Sequence, residues 1–186
     1  LPKLRYCLYM KTVIMSYSLT GNNEALATRI AEELKVEHIR ITEPKKRTYG
    51  TIAADIVFGR TPQTEPMPQV MSAYDLIIFV APIWMGQPAF PMRSYLKQLK
   101  KHPQKYAYVT ISGVSMNNNP GLLGALKSRT GAEAVTVVDL QIVDLLPSDP
   151  KPTTQVISAY QLTAQDVENL TKRAVTMLRE KLPKEV

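Results

Sequence analysis

The chain has 186 residues, 45% hydrophobic and 21% charged, with a formal net charge of +7. That length suits one domain with a full core and falls short of two, and no apolar run approaches the roughly 18 residues of a membrane span. One cysteine, Cys7, excludes an internal disulfide and a thiolate metal cluster, and the only two histidines, His38 and His102, have no second ligand at metal spacing. Both histidines read as ordinary surface or loop residues, and no metal site is expected.

Residues 1–9 carry Lys3 and Arg5 around a short, interrupted apolar stretch, which makes a poor signal peptide. Met10-Lys11 reads like a natural start, so residues 1–9 form an N-terminal extension and 10–186 a single domain, with a cytoplasmic home. Asn169-Leu170-Thr171 matches a glycosylation sequon and is read as chance. The basic residues are scattered over amphipathic segments, as solvated faces are, and no basic stripe is interleaved with aromatics. Nucleic acid is not an expected partner.

A first strand, Thr12-Val13-Ile14-Met15, feeds the uncharged loop Ser16 to Asn23, and the loop opens into a helix with apolar positions Leu26, Ala27, Ile30, Ala31 and Leu34. Val36 to Ile41 alternates as an edge strand does. A long connector, Thr42 to Ala73, holds four prolines and one helical candidate, Ile52 to Phe58. Asp75 to Ala81 is a continuous apolar run, suited to a central parallel strand covered on both faces. It ends in Pro82-Ile83-Trp84-Met85-Gly86-Gln87-Pro88. A helix follows from about Pro91, with Met92, Tyr95, Leu96 and Leu99 inward. The fourth strand, Tyr106 to Ile111, closes into Ser112-Gly113-Val114-Ser115. A helix over Leu122 to Arg129 stops at Gly131, and a fifth strand spans Ala134 to Val143. After the Pro-rich connector Ser148–Pro152, Thr163 and Asp166 form a capping box. The final helix buries Val167, Leu170, Ala174, Met177 and Leu178.

Five alternations of strand and helix imply a parallel sheet with helices on both faces. Ligands of such sheets bind beyond the carboxyl ends of the strands, where three polar or Gly-bearing loops fall: 16–23, 82–88 and 112–119. The first is an anion seat by its chemistry, because backbone N–H groups at a helix start, surrounded by hydroxyls, favour a phosphate. A helix cap alone needs one Ser, Thr or Asn; this loop offers five.

These loops resemble those of the flavodoxin family. Ser18-Leu19-Thr20-Gly21-Asn22-Asn23 is similar to the family's Ser/Thr-x-Thr-Gly-Asn-Thr phosphate loop, and Pro82 to Pro88 to the Pro-Ile/Val-Trp-x-Gly segment of bacterial flavodoxin-like proteins. The likeness covers Thr12 to Leu182. It implies a flavodoxin-like three-layer αβα sandwich with a five-stranded parallel sheet, and it supplies, rather than the residues themselves, the order 2-1-3-4-5 with FMN at the switch between strands 1 and 3. By the same likeness Ser18, Leu19, Thr20, Gly21, Asn22 and Asn23 would hold the FMN phosphate. Pro82, Ile83, Trp84, Met85 and Gly86 would flank the flavin, and Ser112, Gly113 and Val114 would approach its polar edge. Asn23 stands where the family usually has Thr. The third loop lacks the aromatic residue that covers the flavin in many electron carriers, and the chain is basic where carriers are acidic.

Other chemistries on this architecture leave absent signatures. There is no G-x-G-x-x-G after the first strand and no G-x-x-x-x-G-K-S/T. No acidic cluster marks a phospho-receiver, and Cys7 precedes the first strand rather than following it. Three readings remain: an FMN oxidoreductase carrying electrons from NAD(P)H to a quinone or similar small acceptor, a flavodoxin-type electron carrier for protein partners, or a module without flavin. The open third loop tilts the choice towards the first. Flavin carries its own redox chemistry, so no catalytic residue is named. A monomer or homodimer is expected.

Overall fold

The computed structural model describes residues 10–44, 61–113 and 120–182. The 1–9 extension, the helical candidate at 52–58, Val114 and residues 115–119 lie outside the described residues.

The five strands are β1 (Thr12–Ser16), β2 (Glu37–Arg40), β3 (Leu76–Val80), β4 (Lys105–Ser112) and β5 (Val137–Gln141). They pair in parallel in the order β2-β1-β3-β4-β5, the order the resemblance implies. β2 is the edge strand that its alternation suggests. The helices are α1 (Asn22–Leu34), α2 (Arg93–Lys101), α3 (Pro120–Thr130), α4 (Thr154–Ala159) and α5 (Ala164–Lys181).

The period-2 alternation of side chains divides the core in two. Ile14, Leu76, Ile78, Val80, Ala107, Val109 and Val138 pack with Leu26, Ala27 and Ile30 of α1 and Leu170, Ala174 and Leu178 of α5. Their neighbours Val13, Met15, Ile77, Phe79, Tyr106 and Tyr108 pack with Tyr95, Leu96 and Leu99 of α2 and Leu122 and Leu126 of α3. Each face of the sheet therefore has its own core. The second holds the large tyrosines, and their hydroxyls find partners: Tyr106 shares a 3.2 Å hydrogen bond with Thr130 and donates to Ala132 O at 3.1 Å. Burial raises the Tyr108 phenol above its ordinary value.

Boundaries differ from the sequence expectation where local chemistry intervenes. The chain after Pro88 makes a 3₁₀ turn, Phe90–Met92, before α2, with Pro91 in its first turn, where a missing backbone donor costs nothing. α5 has the full capping box, with Thr163 and Asp166 bonded reciprocally. It buries Val175 and Thr171, while Met177 points outward at 41% exposure, a quarter-turn from its expected place. α4 follows the Pro-rich connector where no helix was expected; Thr153 caps it. Thr42 and Glu65 form an antiparallel bridge, with N–H···O contacts of 2.8 and 2.9 Å, which pins Glu65 of the long connector to its start beside the end of β2.

Candidate functional site

β1 and β3 are adjacent in the sheet, Ser16 opposite Val80, yet the helices that follow them lie on opposite faces. The chain thus leaves neighbouring strand ends in opposite directions, and a crevice opens between them. The described residues of all three candidate loops lie at these strand ends. Asn23 Oδ1 accepts the Ile111 N–H at 3.1 Å and ties the first loop to the end of β4, where the third begins, and the Tyr17 ring meets Trp84 edge-on at 6.0 Å and ties the first to the second.

The first loop is shaped by Gly21, whose φ of 97° lies where side chains are strained. Gly21 is the N-cap of α1 and supplies no side chain to it, so the first N–H groups of the helix are left without an internal cap. Ser18 Oγ accepts the Gly21 N–H at 3.0 Å and keeps its own proton to donate. Leu19, Thr20 and Gly21 are exposed. The two asparagines are not: both side chains are buried. Asn22 Nδ2 donates to Tyr160 O at 2.9 Å and Asn22 Oδ1 accepts from Leu162 N–H at 3.1 Å. The exposed face of this loop therefore consists of hydroxyls, Leu19 and backbone, with the amides turned inward as fasteners.

The second loop is a miniature hairpin, Ile83–Trp84 against Gln87–Pro88. Met85 and Gly86 between them have φ of 52° and 72°, the positive pair that a type I′ turn demands. Its base is fixed by the Ala89 N–H to Pro82 O at 3.0 Å, with Tyr108 OH reaching the same carbonyl at 3.4 Å. Trp84 is half-buried, held edge-to-face by Tyr17 on one side and by Phe90 at 5.5 Å on the other. Met85 at the tip is 83% exposed. Gln87 Oε1 accepts from Arg129 of α3 at 3.4 Å, and Gly121 lies against Gly86 O.

At the start of the third loop Ser112 is buried and donates to Asp139 of β5 at 2.9 Å, so its side chain is turned towards the neighbouring strand. Gly113 lies beside Ile157 of α4. Of the expected site residues, Ser18 to Asn23, Pro82 to Gly86 and Ser112–Gly113 thus come to one edge; Val114 lies outside the described residues.

Sequence reading missed Tyr17 and Phe90 as the supports of Trp84, although an aromatic on each side of a lone Trp was a usable signal. It also misplaced His38. That ring is half-buried on β2, with Nε2 at 2.7 Å from Ser16 Oγ and Nδ1 at 3.5 Å from Thr28 Oγ1. Thr28 already donates its proton to Glu24 O at 3.0 Å, so it accepts from Nδ1–H, and Nε2 accepts from Ser16. Burial lowers the imidazole below its ordinary value, and nearby Arg40 adds to this against the opposing Glu24. A cavity of about 680 Å³ lies between α1, the end of β2 and the start of α5, and Gly21 of the first loop forms part of its wall. Its cations Arg29 and Arg40 are paired with Glu32 and Glu24. Among the described residues no cluster of His, Cys, Asp and Glu could hold a metal, and no helix is long and apolar enough to cross a membrane.

No family model matches the chain. Solved structures do. A flavoprotein from Lactobacillus acidophilus NCFM, solved in complex with FMN, is 24% identical with a TM-score of 0.57, covering 70% of this chain and 93% of its own. The Trp repressor binding protein of Bacillus subtilis is 12% identical with a TM-score of 0.51, over 92% of this chain and 98% of its own. A flavodoxin from the domain Archaea is 14% identical with a TM-score of 0.50, over 92% and 98%. At these identities the likeness speaks to architecture: the fold is flavodoxin-like.

Proposed function

We propose that this flavodoxin-like chain binds FMN at the β1/β3 crevice and works as an oxidoreductase, taking electrons from NAD(P)H and passing them to a quinone or similar small acceptor. The observation that carries the reading is the meeting of an uncapped helix start with an aromatic wall at one strand-order switch. The N–H groups at the start of α1, with the Ser18 and Thr20 hydroxyls, suit a phosphate without any cationic side chain. Trp84, braced by Tyr17 and Phe90, suits one face of a flat aromatic ring. The backbone at Ser112–Gly113 suits the ring's polar edge. Bound flavin would supply the redox chemistry. The chain's part is to seat the phosphate and orient the ring, and none of the three loops contains Asp or Glu. The fit favours FMN over riboflavin, since a phosphate seat is wasted on the latter, and a cytoplasmic setting belongs to this reading.

An electron carrier for protein partners is the second reading. It draws on Met85 and Leu123, which stand 83% and 62% exposed where the hairpin meets α3. The visible spectrum of the purified protein decides first: a colourless protein that takes up no FMN overturns both readings. Bleaching of bound flavin by NAD(P)H then upholds the enzyme, and its absence leaves the carrier.

A further inference from the structure

The peptide between α4 and α5 is fastened to the anion seat by one side chain. Asn22, the first residue of α1, is 6% exposed. Its carboxamide grips Tyr160 O and Leu162 N–H, the two backbone groups on either side of Gln161, at 2.9 and 3.1 Å. This is the pairing a neighbouring strand would offer, made here by a side chain 138 and 140 positions away. The gripped peptide is in turn rigidly joined to α5. Tyr160 OH donates to Asp166 at 2.8 Å, and Asp166 closes the capping box with Thr163. The hydrogen bonds from Thr163 hold the Asp166 carboxyl below its usual range. On the other side, α4 brings Ile157 against Gly113 of the third loop.

We propose that the Asn22 side chain is a positioning group, touching no ligand itself, that locks the 160–163 peptide to the anion seat and so links occupancy of the seat to the order of that peptide. The linkage follows from geometry. Asn22 sits within the same uncapped first turn whose N–H groups the proposed seat uses, so the backbone orientation that serves the anion is the one that aims the carboxamide at Tyr160 and Leu162. Releasing the carboxamide frees the turn to tilt, and a phosphate would lose its aligned donors while a group bound only at Trp84 would not. The proposal rests on the phosphate seat described above and extends it.

The test compares FMN with riboflavin, which lacks the phosphate, on the wild type, Asn22→Ala and Tyr160→Phe, each checked for folding by circular dichroism. The expected result for Asn22→Ala is about tenfold weaker FMN binding, the worth of the two hydrogen bonds, with riboflavin changed by less than about twofold. Tyr160→Phe, which loosens the peptide from α5 without touching the seat, should weaken FMN in the same selective way and by less. Equal losses for both ligands, or none, overturn the proposal. Should Asn22→Ala fail to fold, Tyr160→Phe alone decides. Amide exchange adds a readout that does not depend on flavin. Millimolar inorganic phosphate should slow exchange at Leu162 and Thr163 in the wild type and not in Asn22→Ala; protection confined to residues 18–25 overturns the lock. If the wild type binds neither flavin, the proposed function falls, and the phosphate arm still decides for or against the lock.

Discussion

The first loop and the 83–88 hairpin reach the same edge of the sheet by opposite means. Between Ser16 and Asn23 the fasteners are polar and buried, with Asn22 and Asn23 each bonded to distant backbone. What remains outside is hydroxyl and peptide. In the hairpin the fasteners are aromatic edges around Trp84, and what remains outside is Met85. Both loops need positive φ at their turning points, met by Gly21 in one and by Met85 and Gly86 in the other. On the proposed reading, the difference gives the site a polar end and an apolar end, which suits a ligand with an anion at one end and a flat ring at the other.

Thr20→Ala should break the polar end. Leaving a bound phosphate short of one partner costs about 1–3 kcal/mol, so calorimetry should show weaker FMN with riboflavin unaffected. Equal affinity of the wild type for the two ligands would refute the phosphate seat itself. Trp84→Ala should break the apolar end, costing about 1 kcal/mol beyond lost contact area. Here FMN and riboflavin should weaken together, and a loss restricted to FMN would erase the distinction between the two regions.

Much of that contrast was legible in the residues. The buried strands, the sheet order once the resemblance was drawn, Gly21 and the Thr163–Asp166 box all carry local signals that tertiary packing does not override. Asn22 and Asn23 were legible only as loop polarity, because their partners lie 88 to 140 positions away and spacing does not encode such contacts. α4 escaped because six residues after a run of prolines offer too short a period to detect. His38 looked idle because Ser16 and Thr28, its partners, are ordinary strand and helix residues until the fold places them around it.

Two smaller effects sharpen the comparison. Met85→Asn should relieve the left-handed strain at the hairpin tip and raise stability by about 1 kcal/mol or less, since Asn tolerates φ near that of Met85 better; a lower melting temperature would mean that the Met85 side chain holds the turn. The last effect lies under the first loop. Because the fold lowers the His38 value, the unfolded chain binds protons more readily. Stability should therefore be full above the ordinary histidine value of about 6.5 and decline as pH falls through it. Thermal melts between neutral and mildly acidic pH should show that slope, and His38→Asn should flatten it. An unchanged slope in the variant would assign it to other groups.

Trp84 is the only tryptophan in the chain. It stands at the crevice and is merely packed against the tyrosine-bearing core rather than within it. Light absorbed at the red edge of the protein spectrum therefore reports on one hairpin and hardly at all on either hydrophobic core. A melt followed by indole emission will record when the hairpin lets go of Tyr17 and Phe90, while one followed by backbone ellipticity records the sheet and helices. Where the two traces separate along the temperature axis, their gap measures how independently the mouth of the crevice opens from the scaffold beneath it.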